Sequence, residues 1–105
     1  VGRVARSATE TTTRIVHLIE EDRRRIGQLG RGAASAARVH EIATRSVVVT
    51  PKTILQRTGL TPPPVYAAIS RLEGLGILRE VTGRQRGKVY AYGEYLDLLN
   101  EGTNT

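Results

Sequence analysis

The stretch TPKTILQRTGLTPPPVYAAISRLE, residues 50 to 73, contains two helix starts separated by one glycine turn. Thr50 and Pro51 have the chemistry of an N-cap followed by the first helical position: a hydroxyl can accept from an early N–H, and proline gives up nothing there. The spacing predicts a short helix to about Thr58, with Ile54 and Leu55 turned inward. Gly59 stands where a left-handed residue ends a helix, and Leu60 is placed to fold back on the core. Thr61 and Pro62 repeat the cap-then-proline signal. They open a helix reaching about Leu75, with Val65, Ala68, Ile69 and Leu72 inward. Two helices crossing over so tight a turn predict a helix-turn-helix.

The residues after Leu75 complete the pattern. GILREV (76 to 81) and KVYAY (88 to 92) have strand chemistry, and TGRQRG (82 to 87) joins them as a polar loop with two glycines. Residues 93 to 101 predict a last short helix with Leu96 and Leu99 inward, and GTNT (102 to 105) a loose tail. Upstream, VVV (47 to 49) reads as a short strand, and residues 33 to 45 as a helix with Ala36, Val39, Ile42 and Ala43 on its apolar side. GQLGRG (27 to 32) breaks the chain before it. Residues 4 to 29 predict one long helix carrying Ile15, Leu18, Ile19, Ile26 and Leu29, a stripe interrupted by Asp22. Within it, EEDRRR sets Glu20 and Glu21 four residues before Arg24 and Arg25, the favourable order for solvated ion pairs.

The expected fold is therefore mostly α with a small β hairpin (α+β): a winged helix-turn-helix preceded by a long helical arm. Residues 1–31 form the arm or connector and residues 32–105 the winged helix. The core must be aliphatic, because Phe, Trp, Met and Cys are absent and the aromatics are Tyr66, Tyr90, Tyr92 and Tyr95. Without cysteine there is no disulfide framework, thiolate nucleophile or thiolate zinc site. No run approaches about 18 apolar residues, which argues against a membrane span. The chain starts at Val1, without a signal-peptide pattern, and is expected to be a piece of a longer cytoplasmic protein.

The net charge of +6 suggests a polyanionic partner. The excess lies mostly in residues 31 to 58, where Arg31, Arg38, Arg45, Lys52 and Arg57 face Glu41 alone. On duplex DNA, the helix from Pro62 would enter the major groove and offer Tyr66, Ser70 and Arg71 near base edges. Arg84, Arg86 and Lys88 at the hairpin tip would hold phosphates, and Lys52 and Arg57 would add backbone contacts. That helix is poor in the Arg, Lys, Asn and Gln that read bases, and its prolines remove N–H groups that otherwise bind phosphate. The alternative is a protein contact through Pro63, Pro64, Tyr66 and Ala67, an apolar edge that suits an interface core. The long first helix, without an evident partner, further suggests packing against something absent or a homodimer.

No catalytic inventory is present. His17 and Glu21 share a helix face but lack the third protein ligand of a metal site, and GQLGRG has no Lys-Ser/Thr after it. No cofactor is expected.

Residues 72 to 103, LEGLGILREVTGRQRGKVYAYGEYLDLLNEGT, with the preceding TGLTPPPVYAAISRLE, resemble the C-terminal winged-helix domain of Fic family proteins. IVHLIEEDRRRIGQLGRGAASAARVHEI (15 to 42) resembles the helical connector before that domain. The resemblance implies a parent that transfers AMP from ATP to protein hydroxyls, and a protein partner in its catalytic domain. That domain's His-Pro-Phe and Gly-Asn-Gly-Arg signature is absent here, so the resemblance implies no catalytic residue for this chain. The family's third helix more usually begins Ser-Pro-Pro-Thr, where this chain has Thr61-Pro62-Pro63-Pro64.

Overall fold

Helix α1 (Gly2–Gly27) is 26 residues long, and so about 39 Å. It turns through Gly30 and Gly32 into α2 (Ala33–Ser46). Strand β1 (Val48–Val49) leads to α3 (Pro51–Thr58) and α4 (Pro62–Gly74). Then come β2 (Leu78–Glu80), β3 (Tyr90–Tyr92) and α5 (Gly93–Thr103). This computed structural model describes the backbone of residues 2–103 and the side chains of residues 9–102; Asn104 and Thr105, expected as part of a loose tail, lie outside the described residues. Gly102 and Thr103, expected in that tail, close α5. Among the described residues no helix is long and apolar enough to cross a membrane.

The paired helices start and stop for the reasons their residues supply. Thr50 Oγ1 accepts from Thr53 N–H at 3.2 Å, and Pro51 occupies the first helical position. Gly59 takes φ 70° and its N–H returns to the Leu55 carbonyl at 3.0 Å, closing α3. Thr61 occupies the cap position of α4 but makes no side-chain cap bond. The reason is chemical: a cap hydroxyl accepts from the second or third helical N–H, and Pro63 and Pro64 carry none. At the other end, Gly76 N–H bonds Glu73 O and Ile77 N–H bonds Leu72 O, each at 2.9 Å, with Gly76 left-handed at φ 76°. Leu72 and Ile77 are both buried beside this Schellman stop.

The sheet has three antiparallel strands in the order β1-β3-β2, so the expected hairpin is joined by VVV as a third strand. Val49 pairs with Tyr90, and Leu78 with Tyr92. Val47 precedes β1 at φ 63°, a strained conformation for a β-branched residue. It is bonded on both sides: its N–H reaches Ala43 O at 2.9 Å and its carbonyl accepts from Tyr92 N–H at 2.7 Å.

Helix α2 packs against α4, and α3 against both. Their shared core holds Ala36, Val39, Ala43, Ile54, Val65, Ala68, Ile69 and Leu72, and the same cluster includes Ile26 of α1, Val49, Ile77 and Leu78. Truncating a fully buried aliphatic such as Ile54 costs about 2–5 kcal/mol.

Helix α1 has its partners within the chain, since it packs on α2 and α5. Along α5, Tyr95 packs on the core, Leu98 is half-buried, and Gly102 would set a Cβ 3.1 Å from Thr11 Oγ1. Leu99, four residues after Tyr95, is 37% exposed, contrary to the inward position expected. The ion pairs of the EEDRRR run are Glu21–Arg24 and Asp22–Arg25 at i, i+3 spacing, in place of the expected i, i+4 pairs.

Asp22 is not a solvated interruption of the stripe. It is 3% exposed and accepts from the Tyr92 phenol at 2.5 Å. The one phenolic proton is thereby committed, so His40 Nε2, 2.9 Å from the same oxygen, must be the donor to it. Burial, then the bond to Asp22, pushes the Tyr92 phenol far up. Burial pushes His40 down more strongly than the Asp22 carboxylate holds it up. Arg25 extends the chain by donating to Asp22 Oδ1 at 3.1 Å and to the Leu75 carbonyl at 2.5 Å, where α4 ends.

Candidate nucleic-acid interface

The exposed face of α4 begins at its prolines and continues through Tyr66, 55% exposed, to Ser70 one turn on. Residues four apart lie only about 40° apart around a helix, so these two side chains share a face. Pro63 is exposed beside them, and Pro64 and Ala67 are half-buried at its edge. The only hydrogen-bonding side chains on that face are the Tyr66 and Ser70 hydroxyls and the Glu73 carboxylate.

The wing, residues 81–89, is shaped from within. Val81 N–H bonds Val89 O at 2.9 Å, and Val89 N–H reaches Thr82 Oγ1 at 3.3 Å. Glu80 Oε2 accepts from Thr82 N–H at 2.5 Å, Thr82 Oγ1 at 2.6 Å and Gly83 N–H at 2.6 Å. Those bonds, the Thr82 hydroxyl foremost, hold the Glu80 carboxyl below the usual carboxylate range, and Lys88 adds to the effect. Gly83 and Gly87 take φ of 66° and 63°, which lets so short a loop reverse. Arg84, Arg86 and Lys88 are all exposed on it, and no carboxylate lies within salt-bridge distance of Arg84 or Arg86 among the described residues.

Between α4 and the wing lies a cleft of about 510 Å³. Thr50, Pro51 and Lys52 enter it from the start of α3, Tyr66 from α4, Gln85 to Lys88 from the wing, and Tyr90 from β3. No acid lines it. Burial first, then the carboxylates of Glu73 and Glu80, raise the Tyr90 phenol above its ordinary range, and the phenol can donate a hydrogen bond. The cleft thus combines three cations, two phenols and an amide.

Of the eight residues expected to meet a nucleic acid, Lys52, Tyr66, Arg86 and Lys88 line this cleft, while Ser70, one turn after Tyr66, and Arg84, next to Gln85, are exposed without lining it. Arg57 and Arg71 lie elsewhere. Each follows a residue of the cleft by five positions, which is about 140° around the helix: Arg57 after Lys52, and Arg71 after Tyr66. Arg57 donates to Ser46 Oγ at 3.1 Å. Arg71 is half-buried, with its guanidinium where a Cβ on Gly32 would come within 2.7 Å. Thr50, Gln85 and Tyr90 are cleft residues that sequence reasoning missed. Gln85 stands between two arginines of the wing, a pattern that marks it, but nothing local marks Tyr90. Among the described residues no group of three or more His, Asp or Glu side chains can hold a metal ion.

No protein-family model matches the chain, and neither does any curated protein sequence. Among solved structures, the 2,4-dichlorophenol-bound form of the organohalide-sensing RdhR-CbdbA1625 transcriptional regulator is similar at a TM-score of 0.51 and 22% identity, over 89% of this chain. Its ligand-free form gives 0.49 and 23% over the same share. The likeness is one of fold, and the chain spans 57% of that regulator's length.

Proposed function

We propose that this chain is a DNA-binding winged-helix module that holds duplex phosphates between the start of α3 and the wing, with the exposed face of α4 in the major groove. The observation that carries this reading is the acid-free cleft joining Lys52, Tyr66, Arg86 and Lys88 from three separate elements. Cations converging beside a helix narrow enough for the major groove are what backbone binding requires. That the solved structure of similar fold is a transcriptional regulator agrees with the assignment as an analogy of fold.

The same geometry limits what the module reads. Tyr66 and Ser70 offer single hydroxyls where base discrimination prefers bidentate Arg, Asn or Gln. Affinity therefore comes mainly from phosphates, with modest preference among sequences. Mapping amide shifts on titration with a random-sequence duplex tests the assignment. The reading requires shifts at Lys52, Tyr66, Ser70 and residues 83–88. Shifts confined to α1 and α5 would refute it.

A second reading is favoured by the apolar edge of α4, where Pro63 and a 55% exposed Tyr66 stand in solvent. A protein partner on that edge, with Pro64 and Ala67 beneath it, would bind with little response to salt. The finer placement, as a module of a Fic family AMP transferase, rests on the sequence resemblance of residues 15 to 42 and 58 to 103 alone.

A further inference from the structure

The arginines of the described chain differ in what holds them. Arg14, Arg24, Arg25 and Arg79 each lie against a carboxylate, respectively Glu101, Glu21, Asp22 and Asp97. Arg38 and Arg57 are held by neutral oxygens instead. Arg38 Nη2 donates to the Thr58 carbonyl at 2.6 Å, and Arg57 Nη1 to the Ser46 hydroxyl at 3.1 Å. With Arg45 they surround a hollow of about 200 Å³ between α2 and α3, which Ile42 and Thr58 help to line. Its one acid, Glu41, lies 3.4 Å from Arg45.

A guanidinium bonded to a neutral acceptor keeps its full charge and its remaining N–H donors. It is also ordered before any ligand arrives, so binding costs less rotamer freedom. The planar fork of arginine matches phosphate oxygens in pairs. The hollow is smaller than the roughly 300–1,000 Å³ of pockets that enclose whole small molecules, yet it exceeds several times the ~30 Å³ occupied by one water. A single tetrahedral oxyanion suits those dimensions.

We propose that Arg38, Arg45 and Arg57 form a phosphate-binding site separate from the wing cleft. The phosphate comes either from a duplex backbone, which rests on the DNA-binding reading, or from a small phosphorylated compound, which does not. Glu41 opposes the anion and weakens the site.

Inorganic phosphate is the probe, titrated into the full chain at low ionic strength and followed by the arginine Nε–H signals. Saturable shifts at Arg38 and Arg57 are expected. After Arg38→Gln with Arg57→Gln the remaining Arg45 Nε–H signal should need about tenfold more phosphate, or more, and after Glu41→Gln the arginine signals should need several-fold less. Arg57→Gln alone serves if losing the Arg38 bond to Thr58 unfolds the pair. The variant lacking Arg84, Arg86 and Lys88 should keep the phosphate response. Duplex affinity then separates the sources: a fall in the Arg38/Arg57 variant assigns a backbone phosphate, and an unchanged value a free phosphorylated compound. Absence of saturable shifts in the unaltered chain, or no tightening after Glu41→Gln, would overturn the site. Loss of duplex binding alone would overturn only the wing reading.

Discussion

The phenol of Tyr92 on β3 donates to the carboxylate of Asp22 on α1 at 2.5 Å, across 70 residues of sequence. His40 of α2 donates to the same phenolic oxygen, and Arg25 carries the chain on to the Leu75 carbonyl. The arm, the sheet and the end of α4 are thus registered by one buried polar chain in a core otherwise almost wholly aliphatic. A buried network of this kind adds more to uniqueness of packing than to net stability, but removing one member leaves the others unsatisfied.

Tyr92→Phe strips Asp22 and His40 of their shared partner while keeping the ring. It should destabilise the chain by about 2–4 kcal/mol, read as a lower urea midpoint with an unchanged slope. Combined with Asp22→Ala, the loss should fall short of the sum of the two single changes by roughly 1 kcal/mol or more. Additive losses would show that the two side chains do not act together.

His40 also makes stability depend on pH. Its folded pKa lies below the unfolded value of about 6.5. Above that pH both states hold a neutral imidazole and there is no dependence. As pH falls below it the unfolded chain takes up a proton that the folded chain refuses, so stability drops. Urea midpoints should decline from about pH 6.5 downward, and His40→Leu should flatten that decline. An unchanged slope in the variant would remove His40 as its source.

The two cap threonines should respond differently. Thr50→Ala removes the bond to Thr53 N–H and should cost about 1 kcal/mol. Thr61→Ala should be silent within about 0.5 kcal/mol, because the prolines after it leave no donor in reach. Restoring N–H groups with Pro63→Ala and Pro64→Ala should make Thr61→Ala costly. Equal losses at both sites in the unaltered chain would contradict the proline argument.

Gly59→Ala should cost about 1 kcal/mol or slightly more. An added Cβ meets nothing within 4 Å, so the cost lies in the left-handed φ of 70° alone. Gly59→Asn should cost less, since asparagine tolerates that region. A cost of several kcal/mol would point to a contact that the turn does not show.

Local chemistry made the helix-turn-helix legible: Thr50 with Pro51, Gly59, and the spacing of Val65, Ala68, Ile69 and Leu72 all act within one turn of themselves. Features that depend on distant partners were not. VVV pairs with β3 some forty positions away, a choice no local pattern records. Asp22 sits in a run of six charges that reads as solvated, while its partner, the Tyr92 phenol, stands 70 positions on. Arg57 and Arg71 were within reach, because five-residue steps from Lys52 and Tyr66 turn them off the shared face. Counting cations without their helical angle hid both that fact and the hollow that Arg57 forms with Arg38 and Arg45.

The most direct test of the central claim is fluorescence anisotropy of the chain on random-sequence duplex DNA across a salt series, beside the Arg84→Ala, Arg86→Ala, Lys88→Ala variant. With Lys52, Arg84, Arg86 and Lys88 on phosphates, log affinity should fall against log salt with a slope of about −3 to −4. The variant should bind far more weakly, with a slope near −1. No binding of the unaltered chain at low salt, or equal binding by the variant, would contradict a DNA-holding wing.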